Sequence, residues 1–221
     1  PEIDEALAAS KKGLVTVSFL EHALNKNLVN TFSKLRIISK GNLALLIDAY
    51  LRRLDLWNIK TLLRAKYTGT GMQETEHMLL PAGSLGMDFL KELLSRKSVQ
   101  EIVMDNGLWA AGKLAPAIEM FSRTNSLFEI ENALDRLYYS AMEEFAKRIP
   151  NEGRLFREFL QAETELSAIM GVLRLKRANT PAKDIERYVT VPAAARALVK
   201  KMVAAQSAAE AAKLLEQGRF M

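Results

Sequence analysis

Apolar residues recur at helical spacing along most of this chain. Leu43, Leu46, Ile47, Tyr50, Leu54 and Trp57 fall on one stripe of a helix, and Leu51, Ile59, Leu62 and Leu63 fall on a second stripe beside it. Two adjacent stripes predict a helix covered on more than one side. The same spacing predicts helices over Val17–Ile38, Asn42–Tyr67, Met87–Leu94, Val99–Met104, Leu127–Arg148, Glu152–Arg177, Pro192–Ala205 and Ala208–Leu215. Leu108–Arg123 also reads as helical, kinked or broken at Pro116, which has no amide hydrogen to donate. Alternating strand-like runs are scarce; "YVTV" at Tyr188–Val191 is the best of them and is very short. The expected fold class is all-α.

Three helix starts carry a capping box: Ser98 with Glu101, Ser126 with Glu129, and Ser207 with Glu210. In each, the serine oxygen can accept from the amide three residues on while the glutamate reaches back to the cap amide.

The chain also matches itself. At a shift of 110 residues, "EHALNKNL" from Glu21 falls on "ENALDRLY" from Glu131, and "DLWNIKTLLRAK" from Asp55 falls on "ELSAIMGVLRLK" from Glu165. Asp55 meets Glu165, Ile59 meets Ile169, Leu63 meets Leu173, Arg64 meets Arg174 and Lys66 meets Lys176. Pro81 meets Pro192 one residue later, and the box Ser98/Glu101 meets Ser207/Glu210 one residue earlier. The order is the same in both copies: a long helix, a longer helix, a Pro-led segment and a capped short helix. The period exceeds that of a solenoid unit, so the reading is two duplicated helical domains, 1–123 and 124–221.

Composition narrows the rest. Of 221 residues, 49% are hydrophobic and 26% charged, which is globular and excludes a disordered chain. The absence of cysteine excludes disulfides and thiolate metal sites and fits a reducing compartment. No apolar run reaches membrane-spanning length and no signal-peptide pattern opens the chain. A net charge of +5 is modest and reads as a mildly basic surface.

Candidate chemistry centres on "YLRRLDLWNIKTLLRAK", Tyr50 to Lys66, where Asp55 and Asn58 interrupt an apolar helix. Arg53, Lys60 and Arg64 share a polar face, and Asp48, Arg52 and Asp55 stand at pairing distance along the helix. As a catalytic or metal pair, Asp55 and Asn58 lack a nearby histidine or second carboxylate. As a nucleic-acid grip, the cations are interrupted by acids. As a structural joint, both are buried polar groups that must find partners, and an acid recurs at Glu165. "TGTG" at Thr68–Gly71 reads as a helix C-cap and loop, since no Gly-Lys-Ser/Thr follows it. His22 and His77 read as one surface and one satisfied polar residue. The alanine clusters at Ala193–Ala195, Ala204–Ala205 and Ala208–Ala212 read as close helix packing.

The motif "YLRRLDLWNIKTLLRAKYTG", followed by "LLPAGSL", resembles the C subunit of archaeal and bacterial A/V-type ATP synthases, called the d subunit in eukaryotic vacuolar ATPases. The residues that carry the resemblance are Tyr50, Leu51, Asp55, Asn58, Ile59, Lys60, Leu62, Leu63, Arg64, Lys66, Leu80, Pro81 and Gly83. The second copy keeps Glu165, Ile169, Leu173, Arg174 and Lys176, has Leu160 where Tyr50 falls, and loses the Asn and the loop Gly. The resemblance implies an all-helical, funnel-shaped subunit of three similar domains, of which about two are present, so a partial chain is expected. It implies no enzyme activity, no cofactor and no metal. It also implies a peripheral seat on the cytoplasmic face of a membrane rotor ring, with that ring and the D- and F-type central shaft subunits as partners, and no nucleic acid or small-molecule substrate. The alternative reading is a helical binding module for nucleic acid or a regulatory protein.

Overall fold

The computed structural model describes residues 17–189 and 195–216. Its elements, in order, are α1 (Val17–Ile38), α2 (Gly41–Thr68), α3 (Met72–Met78), α4 (Met87–Leu94), α5 (Val99–Met104), a 3-10 turn (Ala111–Lys113), α6 (Ala115–Thr124), α7 (Phe128–Lys147), α8 (Glu152–Arg177), α9 (Ala182–Tyr188), α10 (Arg196–Ala204) and α11 (Ala208–Glu216). Among the described residues there is no strand, and the fold is all-α.

Several local expectations are corrected. No helix runs from Leu108; the turn there is organised by Asn106, whose Oδ1 accepts from the amides of Leu108 (2.8 Å) and Trp109 (2.9 Å). Pro116 lies in the first turn of α6 and so starts a helix instead of kinking one. Ser126 is no capping-box residue: α7 begins at Phe128, and the Ser126 hydroxyl accepts from the Phe128 amide at 3.4 Å. Ser98 and Ser207 do cap, accepting from Glu101 and Glu210 at 3.2 and 3.1 Å. Their glutamates, however, accept from the amides of Lys97 and Gln206, one residue before the cap. Tyr188 closes a helix instead of opening a strand, and Val189 caps it; residues 190–194, which hold the rest of "YVTV", Pro192, Ala193 and Ala194, lie outside the described residues.

Two seven-residue helices, α3 and α9, escape the hydrophobic pattern. They stand 110 residues apart, and so do the backbone turns that precede them. Gly69 and Asn179 both take left-handed conformations (φ 74° and 56°), as do Gly41 and Asn151 (57° and 56°). Glycine and asparagine are the residues that enter this region at least cost. After the first pair, Thr70 and Thr180 each donate an amide hydrogen at 2.9 Å to the carbonyls of Ala65 and Leu175, closing the long helix in the same way.

The chain forms two compact units, divided between Glu152 and Gly153. In the first, α2 is the hub: α1, α3, α4, α5 and α7 pack on it, and α6 packs on α7. Ile59, Leu62 and Leu63 of α2 are fully buried, with Leu90 and Leu93 of α4, Ile102 and Val103 of α5, and Ile130 and Leu134 of α7. Each such side chain contributes about 1.5–3 kcal/mol, so this cluster sets the stability of the unit. One predicted stripe is corrected here, since Leu43 and Trp57 are exposed. In the second unit, Ala168, Ile169 and Val172 of α8 pack with Ile185 of α9, Val199, Met202 and Val203 of α10, and Ala211 of α11. This compact division differs from the 123/124 line of the self-match because α7 packs on α2 and α6; packing and sequence repetition divide the chain by different criteria.

Candidate functional site

The polar interruption of α2 is a joint between that helix and the loop after α3. Asp55 and Asn58 are both completely buried. Asn58 donates from Nδ2 to the carbonyl of Leu80 at 2.8 Å, and its Oδ1 accepts from the Leu80 amide at 2.7 Å. Three residues earlier, less than one helical turn, Asp55 Oδ2 accepts from the Ser84 amide and hydroxyl, both at 2.7 Å, while Oδ1 accepts from the Leu85 amide at 2.9 Å. Both carboxylate oxygens are engaged by short, charge-assisted bonds. The loop reaches this close only because residue 83 is glycine. A Cβ there would lie 2.0 Å from Asp55 Oδ1 and 2.3 Å from its Cγ, separations no real side chain attains.

This arrangement fixes backbone and leaves no room for substrate. Among the described residues no group of three His, Cys, Asp or Glu converges as metal ligands. His77 lies in the last turn of α3, just before the joint's loop, and belongs to no metal cluster among the described residues. A cleft of about 320 Å³ between α6 and α7, lined by Lys113, Pro116, Met120, Glu129 and Arg136 among others, brings together no set of nucleophile and base.

The cations of the same helix have a second task. Lys60 pairs with Asp135 at 2.5 Å, and Arg64 grips Glu131 through Nε and a terminal nitrogen, each at 2.7 Å. The Glu131 hydrogen bond holds the Arg64 guanidinium above its ordinary value, with burial acting against it. Tyr138 donates its hydroxyl to the Tyr50 carbonyl at 3.3 Å, and burial pushes the Tyr138 phenol up. Tyr67 donates to the Asn125 carbonyl at 2.9 Å and sets its ring edge-on to Phe121. Thus the polar face of α2 is the seat of an acidic helix, α7. Two of the three cations that would serve a nucleic-acid grip are matched by carboxylates.

The expected pairing among Asp48, Arg52 and Asp55 is replaced. Asp48 accepts from Arg36 of α1 at 2.7 Å, and Asp55 turns to the loop. Ile59 is buried, Pro81 and Lys66 are half-buried, and Lys66 has its counterpart in Lys176, which donates to the Ala205 carbonyl. Glu165 is buried at the position equivalent to Asp55, and Ala168 at that of Asn58; Arg174 is exposed. The sequence reading missed Leu80, Ser84 and Leu85 as the joint's acceptors and donors. "LLPAGSL" held the signal: a Pro and a Gly two apart mark a loop shaped to approach another backbone closely.

A family model described as ATP synthase (C/AC39) subunit matches residues 3–221. The chain is 36% identical over 185 residues to the C subunit of the A-type ATP synthase of Methanococcoides burtonii, covering 83% of this chain and 50% of the relative. It is 31% identical to the corresponding C subunit of Haloferax volcanii, covering 78% and 50%, and 30% identical to that of Methanocaldococcus jannaschii, covering 78% and 43%. The chain therefore spans about half the length of the curated relatives it matches. No solved structure matches it. No helix among the described residues is long and apolar enough to cross a membrane.

Proposed function

This chain belongs to the ATP synthase (C/AC39) subunit family, and from that premise we propose that it is a non-catalytic central-stalk element of a rotary A/V-type ATP synthase. In this reading it sits on the cytoplasmic face of the membrane, receives the foot of the central shaft, and passes torque to the rotor ring for proton or sodium transport. The partners are the ring subunits and the D- and F-type shaft subunits. The motif residues Tyr50, Asp55, Asn58, Ile59, Lys60, Arg64, Lys66, Pro81 and Gly83, with Glu165, Arg174 and Lys176, act as structural joints. We also read 1–123 and 124–221 as two repeats of a three-repeat, funnel-shaped subunit.

The observation that carries this reading is the locked joint on α2. A torque-bearing part must resist shear between its helices, and the fully buried side chains of Asp55 and Asn58 tie a hub helix to its loop by five hydrogen bonds. A loop held so rigidly suits transmission better than capture of a ligand, which calls for an accessible pocket.

The test is affinity capture of the tagged chain from membranes rich in a rotary ATPase. The expected result is co-purification of ring and shaft subunits. Recovery of neither sinks the reading, and salt-sensitive retention of nucleic acid would replace it with the binding-module alternative.

A further inference from the structure

A layer of short helices packs beside each long helix, α3–α5 on α2 and α9–α11 on α8, and its charge reverses between the two. The comparison rests on the duplicated-repeat reading above. The cores set its register: Leu90, Leu93 and Leu94 of α4 are buried, and so, 109 residues on, are Val199, Met202 and Val203 of α10. Residues 72–105 hold three cations and six acids, whereas residues 182–214 hold six cations and three acids. The reversal dominates the charge of the chain. Residues 1–152, the first unit, hold 19 cations and 19 acids; residues 153–221, the second, hold 12 and 7, so the whole net charge of +5 belongs to the second unit.

The reversal also removes internal pairing. In the first layer Lys91 pairs with Glu76 at 3.0 Å, and Arg96 pairs with Glu92 and Asp105 at 2.8 Å each. In the second layer Ala205 stands for Arg96, Lys201 for Glu92 and Leu214 for Asp105. Lys183, Lys200, Lys201 and Lys213 are exposed, and none of them forms an ion pair among the described residues. The first layer also shows that such a surface lies off the path of a following repeat. Helix α7, which opens the next repeat, packs on α2 and α6, and Lys91, Glu92 and Asp105 remain 48%, 57% and 48% exposed beside it.

We propose that the α9–α11 layer is a docking surface for anionic lipid headgroups. A surface that docks another protein centres on apolar and aromatic side chains and is depleted in lysine. This layer is the opposite: its lysines are spread over three helices, and Tyr188 is the one large apolar side chain it exposes among the described residues. A lone tyrosine also supplies no row of stacking rings for nucleic acid. An anionic bilayer asks for neither an apolar centre nor shape complementarity. Each cation near its surface adds an increment of attraction that salt screens, and long lysine side chains adapt to mobile headgroups. The same surface would repel the acidic α3–α5 layer.

The test is flotation of the full chain with lipid vesicles. The vesicles hold no ring or shaft subunit, so this proposal and the rotor reading fail separately. The chain should float with vesicles of equal parts phosphatidylcholine and phosphatidylglycerol, stay behind with phosphatidylcholine alone, and come off as salt rises. Lys183→Glu/Lys201→Glu/Lys213→Glu should lose flotation. Lys26→Glu/Lys97→Glu/Lys113→Glu makes the same change in net charge on the first unit and should keep it. All six side chains are exposed, and retained helical circular dichroism confirms that both variants fold. The salt response of the unaltered chain reads the contact without any substitution. No flotation with the anionic vesicles, equal flotation with the neutral ones, or equal loss in the two triple variants overturns the proposal. A DNA duplex or polyglutamate that strips the chain from the vesicles at matched charge overturns it too, and marks the layer as a surface for nucleic acid or an acidic protein.

Discussion

Helices α2 and α8 each bury an acid at the same point of a long helix, but their surroundings differ. On α2 the acid is Asp55, with Asn58 three residues on and Gly83 opposite. On α8 the acid is Glu165, one methylene longer, and the position of Asn58 is filled by Ala168, which is buried. A short carboxylate demands that the loop come to it, and only a glycine permits that approach. A longer one can reach outward, which relaxes the demand on its surroundings. The comparison teaches that the acid is the constant of this architecture, while the amide and the glycine belong to one version of it.

The sharpest way to break the α2 joint is Gly83→Val. With even a Cβ placed 2.0 Å from Asp55 Oδ1, the loop must leave the helix, and the loss should be on the order of 4 kcal/mol, read as a lowered urea midpoint. Asp55→Ala should cost about 1–3 kcal/mol by leaving buried donors unpaired; unchanged thermal stability would show that the joint holds without it. Asn58→Ala gives α2 the residue that α8 carries at the equivalent position. It should cost about 1–2 kcal/mol in thermal melts, and Ala168→Asn on α8 should bring no matching gain. The smallest effect belongs to the Arg64–Glu131 grip. Arg64 remains 57% exposed, so solvent screens the pair, and a double-mutant cycle should return less than about 1 kcal/mol, falling further as salt is added.

Much of the helical layout was legible because long amphipathic helices announce themselves. Val17–Ile38 and Glu152–Arg177 end where their periodicity and their Pro or Gly neighbours say they should. The short helices α3 and α9 did not announce themselves, since seven residues are two turns and cannot establish a period. Asp55 and Asn58 could be recognised as a buried joint from their apolar surroundings, but their partners lie 22 to 30 residues away in a loop, beyond any helical spacing rule. The partners of Lys60 and Arg64 were hidden for the same reason. Their carboxylates stand 75 and 67 residues on, and a charge pattern along one helix says nothing about what another helix brings to it. Pro116 and Ser126 failed in a different way: each is a true boundary signal, displaced by a turn that Asn106 builds or by a start one residue later than the box requires.

Asn58 imitates the edge of a strand, presenting one acceptor and one donor to both backbone groups of Leu80. Leu80 lies in no helix, yet its amide hydrogen is committed to a buried side chain. In hydrogen exchange such an amide behaves unlike loop amides. It is released only when α2 itself yields, so a single residue between helices reports the opening free energy of the whole hub.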